Sequence, residues 1–169
     1  MLGLSDALKQ ARKNKVAIGH FNIAVRSKRA PDQRGVQILK AINPDILVEG
    51  EIGDIGTGSE IHDAAPDLSK GLTAPDEASE FVESTKVDIL APAVGNMHGM
   101  LKSMVQGQTR QHLDIPRITE IKRAAGVPLT LHGGSGTEDD DLRKAIAAGI
   151  NIVHINSELR VAWPGGGPG

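Results

Sequence analysis

The sequence predicts an α/β fold, a parallel sheet with helical cover. Three observations predict it. Short, nearly continuous apolar runs alternate with amphipathic stretches of helical period from residue 36 onward. Those stretches open on capping signals and close on glycine, as at 114–126 and 137–149. The apolar runs lack the polar alternation of a half-solvated sheet, so both of their faces are covered. Either a doubly wound sheet or a (β/α) barrel satisfies this pattern.

The elements follow in order. Residues 4–15 read as a helix, with Leu4, Ala7, Leu8 and Ala11 on one face. Residues 16–22 (VAIGHFN) are a short strand. Residues 24–35 carry Arg26, Lys28, Arg29 and Arg34 without period and read as a solvated loop rather than a basic binding site. Residues 36–42 end a helix that Asn43-Pro44 stops. Residues 45–53 (DILVEGEIG) form a strand, followed by a Gly-rich loop. Thr73-Ala-Pro-Asp76 is a capping signal, with Ala78, Phe81 and Val82 on the inner face of its helix. Residues 87–94 are a strand and 95–113 an irregular stretch. Asp114-Ile-Pro opens a helix with Ile118, Ile121 and Ala125 inward, stopped by Gly126. Residues 127–131 are a strand, and Thr137-Glu-Asp-Asp140 caps a helix that ends at Gly149. Residues 150–155 are the last strand and 157–163 begin a helix, before a Gly/Pro tail at 164–169.

Composition narrows the function. The 169 residues include no cysteine, which excludes a disulfide framework and cysteine-based metal sites. Nineteen basic against 21 acidic residues leave a net charge of −2, no field for nucleic acid or an acidic membrane. Aromatics are limited to Phe21, Phe81 and Trp163, which argues against base-stacking platforms. No apolar run nears the ~20 residues that span a bilayer. The first 15 residues mix charged and apolar side chains, unlike a secretory signal. A cytoplasmic protein acting on a small molecule is expected.

The polar residues gather at strand ends. Glu51 ends 45–53, His98 follows 87–94 within GNMHGM, His132 ends 127–131 within LHGGSG, and Asn156-Ser157 ends 150–155. Parallel α/β folds bring such ends to one side, where their sites lie. Two histidines, each followed by glycine, fit zinc, although a catalytic zinc takes three protein ligands and this pattern supplies two. His132-Gly-Gly-Ser-Gly136 runs into a helix start and reads as an anion cradle. Ser157 can add a second phosphate contact. Gly53 to Glu60 lacks the third glycine of a dinucleotide fingerprint and reads as a mobile loop, with Glu60, His62 and Asp63 solvated. Spacing assigns no metal role to His20, His112 or His154.

VDILAPAVGNMHGM, PLTLHGGSGTEDDDLRKAIAAGI and INIVHINSELR resemble class II, zinc-dependent ketose-bisphosphate aldolases, chiefly fructose-bisphosphate aldolase. VEGEIGDIGTGSE, TAPDEASEFVESTKVD and VAIGHFN extend the resemblance over nearly all of 4–163 except about 24–35. It implies a (β/α)8 TIM barrel, here incomplete: strands one and five to eight in a single domain over 1–163, with the junction near 24–35. It implies reversible zinc-dependent cleavage of a ketose bisphosphate such as fructose 1,6-bisphosphate to dihydroxyacetone phosphate and glyceraldehyde 3-phosphate. His98 and His132 become zinc ligands, and Glu51 marks a second metal position. Gly99, Gly133 and Ser135 become the site of the substrate phosphate and of a monovalent cation such as Na+ or K+. Asn156 and Ser157 match the segment binding the dihydroxyacetone-phosphate part, Lys102 a basic residue after the first His-Gly, and Asn22 a substrate contact on strand one. Glu60 falls near the loop glutamate that shuttles a proton. His154 stands where most members have Asn. A homodimer is compatible with the resemblance.

The sequence also departs from that pattern. It holds no His-x-Asp-His segment, the family's source of the third zinc histidine and the catalytic aspartate. Strands two to four have no counterpart. Two readings follow: a working aldolase with substitute groups, or a non-catalytic barrel fragment. An open sheet of the five strands is expected to leave strands one and five as its edges. A sugar-phosphate isomerase is a weaker third reading, since it needs no paired metal histidines.

Overall fold

A computed structural model describes residues 20–24, 34–56, 58–64 and 71–163. Its centre is a five-stranded, all-parallel sheet of β1 (His20–Ala24), β2 (Leu47–Ile52), β4 (Ile89–Pro92), β6 (Leu129–Leu131) and β7 (Ile150–Val153), in that spatial order. The predicted α/β class and parallel strands are observed. The expected edges are not. β1 pairs directly with β2, from His20 opposite Leu47 to Ala24 opposite Glu51, so β1 and β7 are the outer strands among the described residues. The place between family strands one and five is closed by backbone hydrogen bonds rather than left open.

Helices α1 (Arg34–Ile42), α2 (Pro75–Thr85), α4 (Ile115–Ala125) and α5 (Asp139–Ala148) connect or cover the strands. Lys40 Nζ donates to the Ile46 carbonyl at 2.6 Å and to Asp88 Oδ1 at 2.9 Å, tying α1 to the sheet. Val48, Leu90, Leu129 and Leu131 pack from the sheet onto Ala78, Phe81, Ile118, Ile121 and Ala145 of the helices. Each buried side chain of Leu or Ile size contributes ~1.5–3 kcal/mol over its exposed form. Gly50 lies on this helix-facing side, where a Cβ would meet the Phe81 ring at 2.5 Å.

Several local expectations are corrected. The stretch 95–113 contains β5 (Met100–Leu101) and the short helix α3 (Lys102–Val105). β5 pairs in parallel with β3 (Ile61–His62), so the Gly-rich loop carries a two-stranded ladder of its own. Thr73 does not cap α2. Ala74 is the N-cap, and the Glu77 carboxylate accepts its N–H at 3.1 Å. Thr73 Oγ1 instead donates to the Ile52 carbonyl at 2.9 Å and accepts the Ala93 N–H at 2.9 Å, joining the ends of β2 and β4. Thr137 likewise leaves the cap of α5 to Glu138 and accepts from Gln111 Nε2 at 2.8 Å. Asp114 does cap α4, accepting the Arg117 N–H at 3.1 Å, and Gly126 closes that helix at φ 69°. β7 stops at Val153, short of Ile155, and the helix after it is α6 (Ser157–Ala162). The helix expected at 4–15, the first part of 16–22, most of the 24–35 loop and the tail at 164–169 lie outside the described residues.

Candidate functional site

All five strands run in one direction, so the segments after β2, β4, β6 and β7 emerge on one side of the sheet. Alternation puts Glu49 and Glu51 on the face opposite Gly50 and Phe81. Glu51 is in register with Ala91, and Leu90 with Leu129, so Thr130 and then His132 follow on the same face of β6 and its end. Two strand spacings separate β2 from β6, ~10 Å. Both glutamates reach across β4 to His132.

His132 is the centre of the resulting cluster. Its Nε2 lies 2.7 Å from Glu49 Oε1, and its Nδ1 lies 3.2 Å from Glu51 Oε2. Thr130 Oγ1 donates to the other oxygen of Glu49 at 2.5 Å. The Glu49 side chain is 0% exposed, that of His132 6%, and that of Glu51 18%. Burial pulls the His132 pKa down, but the hydrogen bonds and charges of the two carboxylates outweigh it and hold the pKa at about 9. Glu49 was not among the residues singled out from the sequence. Its signal is that it is one of two carboxylates inside the otherwise apolar run LVEGEI, since a buried charge requires a partner.

His98 approaches from the loop after β4. Its backbone N–H donates to the Ile55 carbonyl at 2.8 Å, and its ring Nδ1 lies 3.1 Å from the Gly56 carbonyl. A carbonyl only accepts, so Nδ1 carries the proton there and Nε2 is left with a lone pair in the neutral ring. The His98 and His132 ring centres are 6.0 Å apart. His154 stacks on His132, with ring centres 4.8 Å apart and 19° between the planes. It had no metal role by spacing; here it is a ring neighbour of the central histidine.

The two glycine loops are clamped together. Gly133 has φ 58°, and a Cβ there would collide with the Met97 carbonyl; Gly99 has φ 81°, and a Cβ there would collide with the Glu60 carbonyl. Gln111, also missed from the sequence, joins these loops from a buried position. Its Oε1 accepts the Met97 N–H at 2.8 Å, and its Nε2 donates to the Gly133 carbonyl at 2.9 Å and to Thr137. Asn96 Nδ2 donates to the His132 carbonyl at 2.9 Å. No pattern within the sequence distinguishes Gln111 from any other loop glutamine.

The other expected site residues are placed as follows. Ser135 Oγ accepts the backbone N–H groups of Asn156 and Glu158, each at 3.2 Å, so it joins the HGGSG loop to the start of α6. Ser157 Oγ donates to the Ser59 carbonyl at 2.9 Å, and Arg160 donates to the same carbonyl at 3.2 Å. Asn156 is exposed beside them. Lys102 pairs with Asp63 at 2.6 Å on the open surface. Glu60 is exposed, and its carbonyl accepts the Met100 N–H at 3.2 Å. Asn22 is in register with Glu49. The loop 53–64, the strand-end histidines and the HGGSG loop therefore meet on one side.

The donor chemistry of His98, His132 and Glu51 suits a divalent metal of zinc type. Two imidazoles sharing a tetrahedral ion at ~2.0–2.1 Å have centres ~5 Å apart, so this pair stands about 1 Å wider than a closed site. Among the described residues no group of three His, Asp or Glu side chains is close enough to hold an ion. Both nitrogens of His132 face carboxylates instead. Among the described residues His98 and His154 are the two imidazoles beside His132, with ring centres 6.0 and 4.8 Å away.

Parallel strands covered by helices, with two histidines and two glycine loops on the side where the strands end, define an α/β protein of partial-barrel type. The model of the family described as "Fructose-bisphosphate aldolase class-II" matches residues 33–166. The chain belongs to that family. Among solved structures it is similar to the YdjI aldolase from Escherichia coli K12, at 26% identity and TM-score 0.62, over 94% of this chain and 51% of that one. It is also similar to a candidate fructose-1,6-bisphosphate aldolase from Coccidioides immitis, at 30% identity and TM-score 0.58, over 79% of this chain and 46% of that one. A fructose-bisphosphate aldolase from Campylobacter jejuni shares the fold at 17% identity, with TM-score 0.56, over 88% of this chain and 43% of that one. The chain spans about half the length of these relatives. No helix among the described residues is long and apolar enough to cross a membrane.

Proposed function

We propose that the chain is a class II aldolase-type lyase that binds zinc and a phosphorylated ketose. The reaction is reversible cleavage of fructose 1,6-bisphosphate or a related ketose bisphosphate. The observation that carries this reading is the pair His98 and His132, on neighbouring strand ends with ring centres 6.0 Å apart, each followed by a glycine of positive φ. These two histidines would hold the metal, with Glu51 at the rim as a second metal position. Zinc, when bound, supplies the Lewis acidity that stabilises charge on the ketose oxygens.

The chain's own groups do the rest. Gly99, Gly133 and Ser135, with a monovalent cation, cradle a phosphate through backbone N–H groups that side chains would block. Asn156, Ser157, Lys102 and Asn22 complete the substrate contacts. Binding the phosphate far from the broken bond positions the reacting carbons. Glu60, on the loop that β3 and β5 anchor, moves the proton. The small net charge and the few aromatics support a cytoplasmic role on a small sugar, not on nucleic acid or membrane. A homodimer is part of the same reading.

The test is cleavage of fructose 1,6-bisphosphate by the purified chain, with zinc and with chelator. Zinc-dependent turnover that His98→Ala and His132→Ala each abolish is the expected result. Absence of turnover with zinc added, or turnover insensitive to chelator, overturns it. A second reading, a non-catalytic aldolase fragment, draws on two observations. The sequence holds no His-x-Asp-His segment, and β1 pairs directly with β2 where the missing strands would enter. It predicts binding of phosphorylated ketose or zinc without product.

A further inference from the structure

We propose that Glu49 is the positioning residue of the site: it fixes the His132 ring so that Nε2 is turned into the sheet and Nδ1 is the nitrogen offered to a metal. This deepens the function proposed above and rests on it for the metal.

Three observations carry it. First, the two carboxylates on His132 are not equivalent. Glu49 is 0% exposed and 2.7 Å from Nε2, whereas Glu51 is 18% exposed and 3.2 Å from Nδ1. The closer contact is the deeper one, and the nitrogen at the accessible rim is Nδ1. Second, Glu49 is itself held, with Thr130 Oγ1 donating to its second oxygen at 2.5 Å. A carboxylate gripped at both oxygens cannot turn away to follow the ring. Third, Asn96 Nδ2 binds the His132 carbonyl, so the backbone carrying the ring is anchored independently of Glu49. Loss of Glu49 should then free the ring without moving its backbone.

The chemistry follows from the geometry. A histidine that binds metal through one nitrogen commonly donates its other N–H to a carboxylate, which fixes the tautomer and raises the basicity of the ligating nitrogen. Glu49 fills that place from a strand two positions away, across β4. Glu51 can leave Nδ1 for the metal because it sits at the rim. Glu49 cannot.

The experiment uses the full chain with Glu49→Gln and Glu49→Ala, and takes two measurements. Proton NMR of the metal-free protein follows the His132 Nε2–H, identified by its loss in His132→Ala. Chelator competition measures zinc affinity. Glu49→Ala should lose the resonance and weaken zinc binding ~10–100-fold. Glu49→Gln keeps an acceptor oxygen, so it should retain a displaced resonance and lose less affinity. An unmoved resonance in Glu49→Ala, or zinc affinity within about twofold of the parent, overturns the assignment. Should Glu49→Ala fail to fold, an unmoved resonance in Glu49→Gln with unchanged affinity overturns it equally. A parent chain that binds no zinc sinks the proposed function, and the resonance alone then decides the role of Glu49.

Discussion

Glu49 and His132, 83 residues apart in sequence, meet at 2.7 Å with a whole strand lying between theirs. In the metal-free chain this contact and that of Glu51 keep the ring protonated up to about pH 9, from an ordinary 6.5. The folded protein therefore holds a proton that the unfolded chain gives up near pH 6.5. The stabilisation is present in full below pH 6.5 and is lost as pH rises through 9. A shift of that size corresponds to on the order of 3 kcal/mol. Thermal melts of metal-free protein should show Tm falling across that window, and Glu49→Gln should flatten the fall. A Tm independent of pH there would contradict the contact.

Thr73→Val keeps the side-chain shape and removes the hydroxyl. The Ile52 carbonyl and the Ala93 N–H each lose one of two partners where Thr73 is fully buried, and keep their own bond to each other at 3.0 Å. Stability should drop by about 0.5–1.5 kcal/mol in urea unfolding, with an unchanged m-value. A shift below ~0.5 kcal/mol would mean that the β2 and β4 ends do not depend on this bridge.

Gln111→Leu strips three hydrogen bonds from the two glycine loops at once, to Met97, Gly133 and Thr137. The expected cost is about 2–3 kcal/mol. Affinity for a ketose phosphate, read by calorimetry, should fall about tenfold, since 1.4 kcal/mol of lost loop order is a factor of ten. Full affinity in a folded Gln111→Leu protein would remove the loops from the binding site.

Gly133→Ala should destabilise by about 2 kcal/mol or more. The φ of 58° is unfavourable for alanine, and its Cβ collides with the Met97 carbonyl, which is backbone and cannot swing aside. Gly107→Ala has a comparable φ of 72° but open space around it. It should cost about 1 kcal/mol. Equal melting points for the two variants would show that the close approach at Gly133 contributes nothing.

Much of this was legible in the chain itself. Val87, Leu90 and Val94 announce a buried strand, and Asp114 with Gly126 brackets a helix, because period and capping chemistry act within a few residues. The places of His98 and His132 after strands were legible for the same reason: each follows an apolar run and precedes glycine. Thr73 and Thr137 were misread because a hydroxyl before a helix can cap it or can bind a neighbouring strand or loop. Here the partners Ile52, Ala93 and Gln111 are brought in from elsewhere in the chain.

The sequence by itself determined the alternation of strands and helices, the turns that need glycine, and the strand ends at which the histidines stand. All of these are governed by local sterics and by burial at fixed periods. Only the tertiary structure decided that β1 lies against β2, that Glu49 and Glu51 reach across β4, and that His132 is shared between them. Those facts depend on strand order and register. A register is set by the packing of whole sheet faces, and no single segment of the chain carries it.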